Sequence, residues 1–125
     1  MVLVTSNKAK QLLTARFVGK VRRKEMERGR EDFQRQLAEL SPGFTVLGDF
    51  SQLDVMDRDC APVLGRVMEL CGKAGVSLVI RVVPDPTKDI GLNILTAFHY
   101  QRRPQIVTVS NITEAIEKLP GVPSA

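Results

Sequence analysis

The amino-acid sequence predicts an α/β fold, a mixed β-sheet covered by helices, and three observations carry that prediction. Short apolar runs alternate with amphipathic stretches along most of the chain. Two such runs stand together at the start, and Gly or Pro marks the ends of several elements. The predicted order is β-β-α-β-α-β-α-β-α. Strands that alternate with helices after an initial hairpin build a mixed sheet whose parallel neighbours are joined by right-handed crossovers.

The elements follow in order. Val2–Thr5 and Leu12–Val18, separated by the polar stretch Ser6–Lys10, predict a hairpin of two strands. Arg22–Leu40 carries Met26, Phe33, Leu37 and Leu40 among charged residues, spaced by seven, four and three, which is the period of an amphipathic helix. Ser41-Pro42-Gly43 stops it, and Phe44–Leu47 reads as a strand ending at Gly48-Asp49. Cys60, Leu64, Val67, Met68 and Cys71 form one helical stripe closed by Gly72 and Gly75. Pro62 fits that helix only in its first turn, which predicts an N-cap at about Asp59. Val76–Val83 is a near-continuous apolar run, the pattern of a strand buried on both faces, and Pro84-Asp85-Pro86 ends it. A short helix over Leu92–Tyr100 and a strand over Gln105–Val109 follow. Asn111-Ile112-Thr113-Glu114 is a capping box that opens a last helix, Ile112–Leu119, closed by Pro120-Gly121.

A length of 125 residues predicts one domain, over 1–121, with Val122–Ala125 as a loose tail. Hydrophobic residues make up 43% and charged residues 26%, enough apolar surface to offset the ordering entropy of a chain this size. Aromatic residues are only 5%, with no Trp and one Tyr, so platforms for stacking bases are hard to assemble and nucleic acid is not an expected partner. The net charge of +4 is uneven: residues 1–40, with ten Lys and Arg against five acids, carry +5, and residues 41–125 carry −1. Arg22, Arg23, Lys24, Arg28, Arg30 and Arg35 are interrupted by those acids, which favours a solvated helix face with intrahelical ion pairs over an anion-binding patch. No apolar run approaches the length that spans a bilayer, and Met1–Thr5 is too short for the core of a secretory leader. Cys60 and Cys71, eleven residues apart on one helix, are separated by roughly 16 Å and cannot pair with each other. A reducing, cytoplasmic setting is therefore expected.

The segment Phe44-Thr-Val-Leu-Gly-Asp49-Phe-Ser51-Gln-Leu53-Asp-Val-Met56-Asp57-Arg58-Asp59, running into Ala61-Pro-Val-Leu-Gly-Arg66, together with the element order, resembles the STAS family, whose best-known members are bacterial anti-sigma-factor antagonists. In that family a strand ends in an aspartate, a loop with an apolar pair follows, and a second aspartate precedes two serines and a glycine at a helix start. Asp49, Leu53, Val55, Met56 and Asp57 match the pattern, and the resemblance covers nearly the whole chain. The departure lies at the serines. Asp59 occupies the position of the serine that the antagonists phosphorylate, with Arg58 before it and Cys60 in place of the glycine.

Each candidate residue has a simpler structural reading beside the functional one. An aspartate at a helix start accepts backbone N–H bonds and sits in the positive end of the dipole, so Asp59 reads first as a cap, and second as a fixed imitation of the phosphorylated form. Asp57 reads first as a carboxylate favoured near a helix N-terminus, and second as a contact to a partner. Asp49, Asp57 and Asp59 lack His or Cys partners at ligand spacing, so no metal is expected. His99 has no nucleophile or acid tied to it by sequence, and no catalytic residue is assigned. The loop from Pro84 to Asn93 is the most unusual in the chain; Lys88, Gly91 and Asn93 are candidates for holding a ligand or anion, although the loop lacks a phosphate-binding motif and two prolines and a glycine also describe a rigid turn.

The resemblance implies a non-enzymatic regulatory module that binds a protein partner, an anti-sigma factor or another signalling protein, through Ser51, Asp57, Arg58 and Asp59. The alternative is a carrier of a small apolar or lipid-like ligand, held by the apolar stretch Ile90–Phe98. No cofactor is expected. An apolar edge of the first hairpin offers a route to a homodimer.

Overall fold

A computed structural model of the chain describes residues 1–85, 95–96, 99–100 and 104–121. Five strands form one mixed sheet in the order β1-β2-β3-β4-β5: β1 (Val2–Asn7), β2 (Leu12–Val21), β3 (Thr45–Met56), β4 (Leu78–Val82) and β5 (Gln105–Val109). β1 and β2 are the antiparallel hairpin, and every later pair is parallel. Parallel neighbours need a crossover. Helix α1 (Arg23–Leu37) joins β2 to β3, and α2 (Ala61–Ala74), preceded by a 3-10 turn at Arg58–Cys60, joins β3 to β4. Helix α3 (Ile112–Glu117) closes the described fold. The helix expected at 92–100 falls largely outside the described residues, of which Leu95, Thr96 and His99 are helical.

Successive residues of a strand point to opposite faces, and this divides the core in two. Leu13, Ala15, Phe17, Val46 and Val79 meet Met26, Phe33, Val63, Leu64 and Val67 of α1 and α2 on one face. Their neighbours Leu47, Ile80 and Val82 meet Val109 and Ala115 on the other, where α3 lies. Buried strands with apolar residues on both faces explain why the run at 78–82 lacks alternation. Pro62 sits in the first turn of α2, and Gly75 ends that helix in the left-handed conformation with its N–H on the carbonyls of Cys71 and Gly72. Asn111 Oδ1 accepts from the N–H of Glu114 at 2.9 Å, so the capping box opens α3 as the sequence predicts. The charged face of α1 carries intrahelical pairs, Arg23 with Glu27 at 3.1 Å and Arg35 with Asp32.

The largest departure from the sequence prediction is β3. It does not end at Asp49 but continues through Met56, and the segment expected as a loop pairs with Val18–Val21. Two bulges make this possible. Arg16 pairs with Asp49 and Val18 with Gln52, so Phe17 faces two residues of β3; Gly19 pairs with Leu53 and Lys20 with Val55, leaving Asp54 as a second extra residue. Each extra residue shifts the side-chain phase by one. Phe50, Leu53 and Met56 consequently repeat every third position and all contact the first core. Gly19 has φ +68°, the left-handed region that glycine enters without cost.

Two predictions follow from this packing. Replacing Gly19 by Ala meets no neighbouring atom, so its cost is conformational, about 1–2 kcal/mol of stability; a urea midpoint unchanged from the natural chain contradicts the bulge geometry. The second concerns pH. Burial pushes the Cys71 thiol from an ordinary 9.0 up to about 12 and also raises the Tyr100 hydroxyl, whose ordinary value is 10.0. Both groups ionise readily only in the unfolded chain, so their contribution is full below about pH 9 and is lost as pH rises towards 12. The urea midpoint falls between about pH 8 and pH 10.5, and a Cys71→Ala, Tyr100→Phe double variant flattens that fall.

Candidate functional site

The bulged half of β3 and the turn that follows it form the candidate site. Asp49 is buried within the strand, and its role there is visible in its contacts. Oδ1 accepts the N–H of Ser51 at 2.9 Å, satisfying a donor that the bulge removes from the ladder. Arg16 bridges the irregularity from the neighbouring strand, with Nε 3.6 Å from Asp49 Oδ2 and Nη2 donating to Gln52 Oε1 at 2.7 Å. Asp49 is thus a structural residue of the bulge rather than the end of a strand. The Phe50 ring stacks on Phe17 with centroids 4.6 Å apart and planes 2° from parallel. Gly48 leaves it room: a Cβ there would lie 3.3 Å from Phe50 Cε2.

The strand runs directly into the 3-10 turn. The N–H of Asp57 donates to the carbonyl of Val21 at 3.1 Å, and Cys60 Sγ reaches the same carbonyl at 3.6 Å, so both ends of the turn are tied to the last residue of β2. Asp57, Arg58 and Asp59 stand exposed between these anchors. The expectation that Asp59 caps the helix is corrected. The 3-10 turn inserts ahead of α2, the N-cap of α2 is Cys60, and neither Cys60 nor Asp57, the N-cap of the 3-10 turn, makes a side-chain cap bond. Among the described residues the carboxylates of Asp54, Asp57 and Asp59 have no hydrogen-bond or ion-pair partner. Cys60 faces inward, fully buried, as expected from its helical stripe. Desolvation, then the nearby charges of Asp57 and Asp59, push its thiol above the usual range, which keeps it protonated and unreactive at neutral pH.

Beside this turn lies an open cleft of about 610 Å³. Its apolar walls are Phe50, Leu53 and Met56 from β3, Leu64 from α2, Val83 from the end of β4, and Leu95. Ser51, Asp54, Asp57, Arg58 and Asp85 stand at its polar margin. Three of the four residues that the sequence marks for partner binding, Ser51, Asp57 and Arg58, therefore meet at one cleft, while Asp59 lies on the adjoining turn outside its lining. Leu95 belongs to the stretch Ile90–Phe98 that the sequence marks for an apolar ligand, whereas the walls contributed by Leu64 and Val83 come from separate segments and carry no such signal. Lys88, Gly91 and Asn93 lie outside the described residues. His99 is half-buried and its Nδ1 is 2.9 Å from Oε1 of Glu69, which stands on α2. Among the described residues no group of His, Cys, Asp or Glu is arranged to hold a metal ion, and no helix is long and apolar enough to cross a membrane.

No protein-family profile matches the chain, and no curated protein sequence matches it. Solved structures do. The anti-sigma factor antagonist SpoIIAA in its unphosphorylated form is 21% identical, with a TM-score of 0.64 over 98% of this chain and 100% of that one. An uncharacterised protein of the DUF3478 family from Shewanella loihica PV-4, described as having a SpoIIAA-like fold, is 15% identical with a TM-score of 0.71 over 95% of this chain and 92% of that one. An anti-sigma factor antagonist from Mycobacterium paratuberculosis is 15% identical with a TM-score of 0.61, over the same shares of the two chains, 95% and 92%. Identities this low speak to architecture. The chain has the STAS-like α/β fold of the SpoIIAA anti-sigma-factor antagonists.

Proposed function

We propose that this chain is a non-enzymatic, cytoplasmic regulatory module that docks on a protein partner, an anti-sigma factor or another signalling protein, through Ser51, the turn Asp57-Arg58-Asp59 and the first half of α2. The observation that carries the reading is the turn itself. Three consecutive charged side chains are exposed on a backbone held at both ends by Val21, and their carboxylates serve no cap. A surface fixed in this way loses little conformational freedom on docking. Fold neighbours that are anti-sigma factor antagonists support the same class of function. Both thiols are buried and protonated, so neither is poised as a nucleophile.

At the position of the antagonists' phosphorylated serine, Asp59 supplies a permanent negative charge. With no backbone N–H to accept, that charge is displayed to solvent, which favours a module fixed in one partner-binding state over one switched by a kinase. A second reading, carriage of a small apolar or lipid-like ligand, is favoured by the cleft beside the turn.

Affinity capture from the source cell's lysate, with the natural chain and a folded Asp59→Arg variant compared side by side, tests the docking reading. The expected outcome is a signalling protein retained by the natural chain and reduced at least about tenfold with the variant, since reversing a charge at a docking centre costs more than about 1.4 kcal/mol. Equal recovery by both removes the turn from the interface.

A further inference from the structure

We infer that the cleft between β3 and the start of α2 is a binding site for a small cationic amphiphile, an apolar molecule bearing a protonated amine. The inference rests on the ligand-carriage reading and names the chemistry of what is carried. The cleft is of small-molecule size: about 610 Å³ falls inside the range of roughly 300–1,000 Å³ typical of such sites. Three of its apolar walls, Phe50, Leu53 and Met56, are side chains of β3 that the two bulges turn to one side, with Phe50 stacked on Phe17. A hydrocarbon or aryl group entering it exchanges water for Phe50, Leu53, Met56 and Leu64, which is the favourable term.

Charge at the margin selects the head group. Asp54 and Asp57 both line the cleft, and neither carboxylate is paired among the described residues. Arg58 and Asp85 line it too, so among the described residues the charged groups of the lining, Asp54, Asp57, Asp85 and Arg58, sum to −2, with Asp59 on the adjoining turn. An ammonium group at this margin gains two carboxylate partners. A carboxylate or phosphate head meets repulsion from both. The second bulge is what places Asp54 here: it is the extra residue of β3 between the Gly19–Leu53 and Lys20–Val55 pairs.

Titration of the ¹⁵N-labelled chain with decylamine, decanol and sodium decanoate, each below its micelle concentration, tests this. Decylammonium is expected to bind saturably, to shift amides within 50–64, and to bind about fivefold more tightly than decanol, with decanoate weaker again. An Asp54→Asn, Asp57→Asn variant, altered only at exposed positions, is expected to bind decylamine and decanol equally. Saturable binding of decanol with no preference for the amine overturns the cationic head group and leaves carriage of apolar ligands standing. Failure of all three to bind, or shifts confined to other parts of the chain, overturns both.

Discussion

The parallel pairing of β2 with β3 holds together everything that bears on function. It runs from Leu12 against Thr45 to Val21 against Met56, with β2 ten residues long and β3 twelve. The difference of two residues is taken up by the two bulges. Without them, Phe50, Leu53 and Met56 would fall on alternating faces and no apolar wall would form. Without the pairing at its far end, the 3-10 turn would lose the Val21 carbonyl that receives both Asp57 and Cys60. Asp49 and Arg16 complete the first bulge, meeting the N–H and side-chain demands that the irregular ladder creates. A buried aspartate and an exposed arginine on adjacent strands thus act at a distance on the cleft.

Much of the fold was legible in the sequence because period follows burial. The spacing of Met26 and Phe33 gave α1, the stripe from Cys60 to Cys71 gave α2, and the apolar runs at 78–82 and 105–109 gave the inner parallel strand and its neighbour. The capping box at Asn111–Glu114 located the start of α3 to the residue, because its hydrogen bonds are local, while the helix ends at Glu117, two residues short of the expected Leu119. The second half of β3 was not legible for a physical reason. Its apolar residues repeat every third position, which matches neither a strand nor a helix, and only the register against β2 reveals that bulges reset the phase. The misplaced cap has a similar origin. A 3-10 turn before α2 moves the helix start past Asp59 to a buried cysteine, and nothing in the local sequence distinguishes that from a helix beginning one residue earlier.

The site was legible in part. Ser51, Asp57 and Arg58 were marked by resemblance to the antagonists, and they do converge at one cleft. The ligand alternative pointed to Ile90–Phe98, of which Leu95 lines the cleft; the walls from β3 and α2 had no such mark, because their approach to one another depends on the bulged register. Freed of capping, Asp59 becomes a displayed charge, and the docking and ligand readings come to share the C-terminal end of β3, with the exposed turn on one side and the apolar walls on the other.

The claim on which this account turns is that Ser51–Met56 is a bulged strand paired to β2. Cross-strand NMR contacts measure it directly. The account predicts backbone nuclear Overhauser contacts between Gly19–Val21 and Leu53–Met56, with slow amide exchange at the paired positions. Random-coil shifts and fast exchange throughout Ser51–Met56 would contradict it, returning the segment to a loop and dissolving both the wall and the anchored turn.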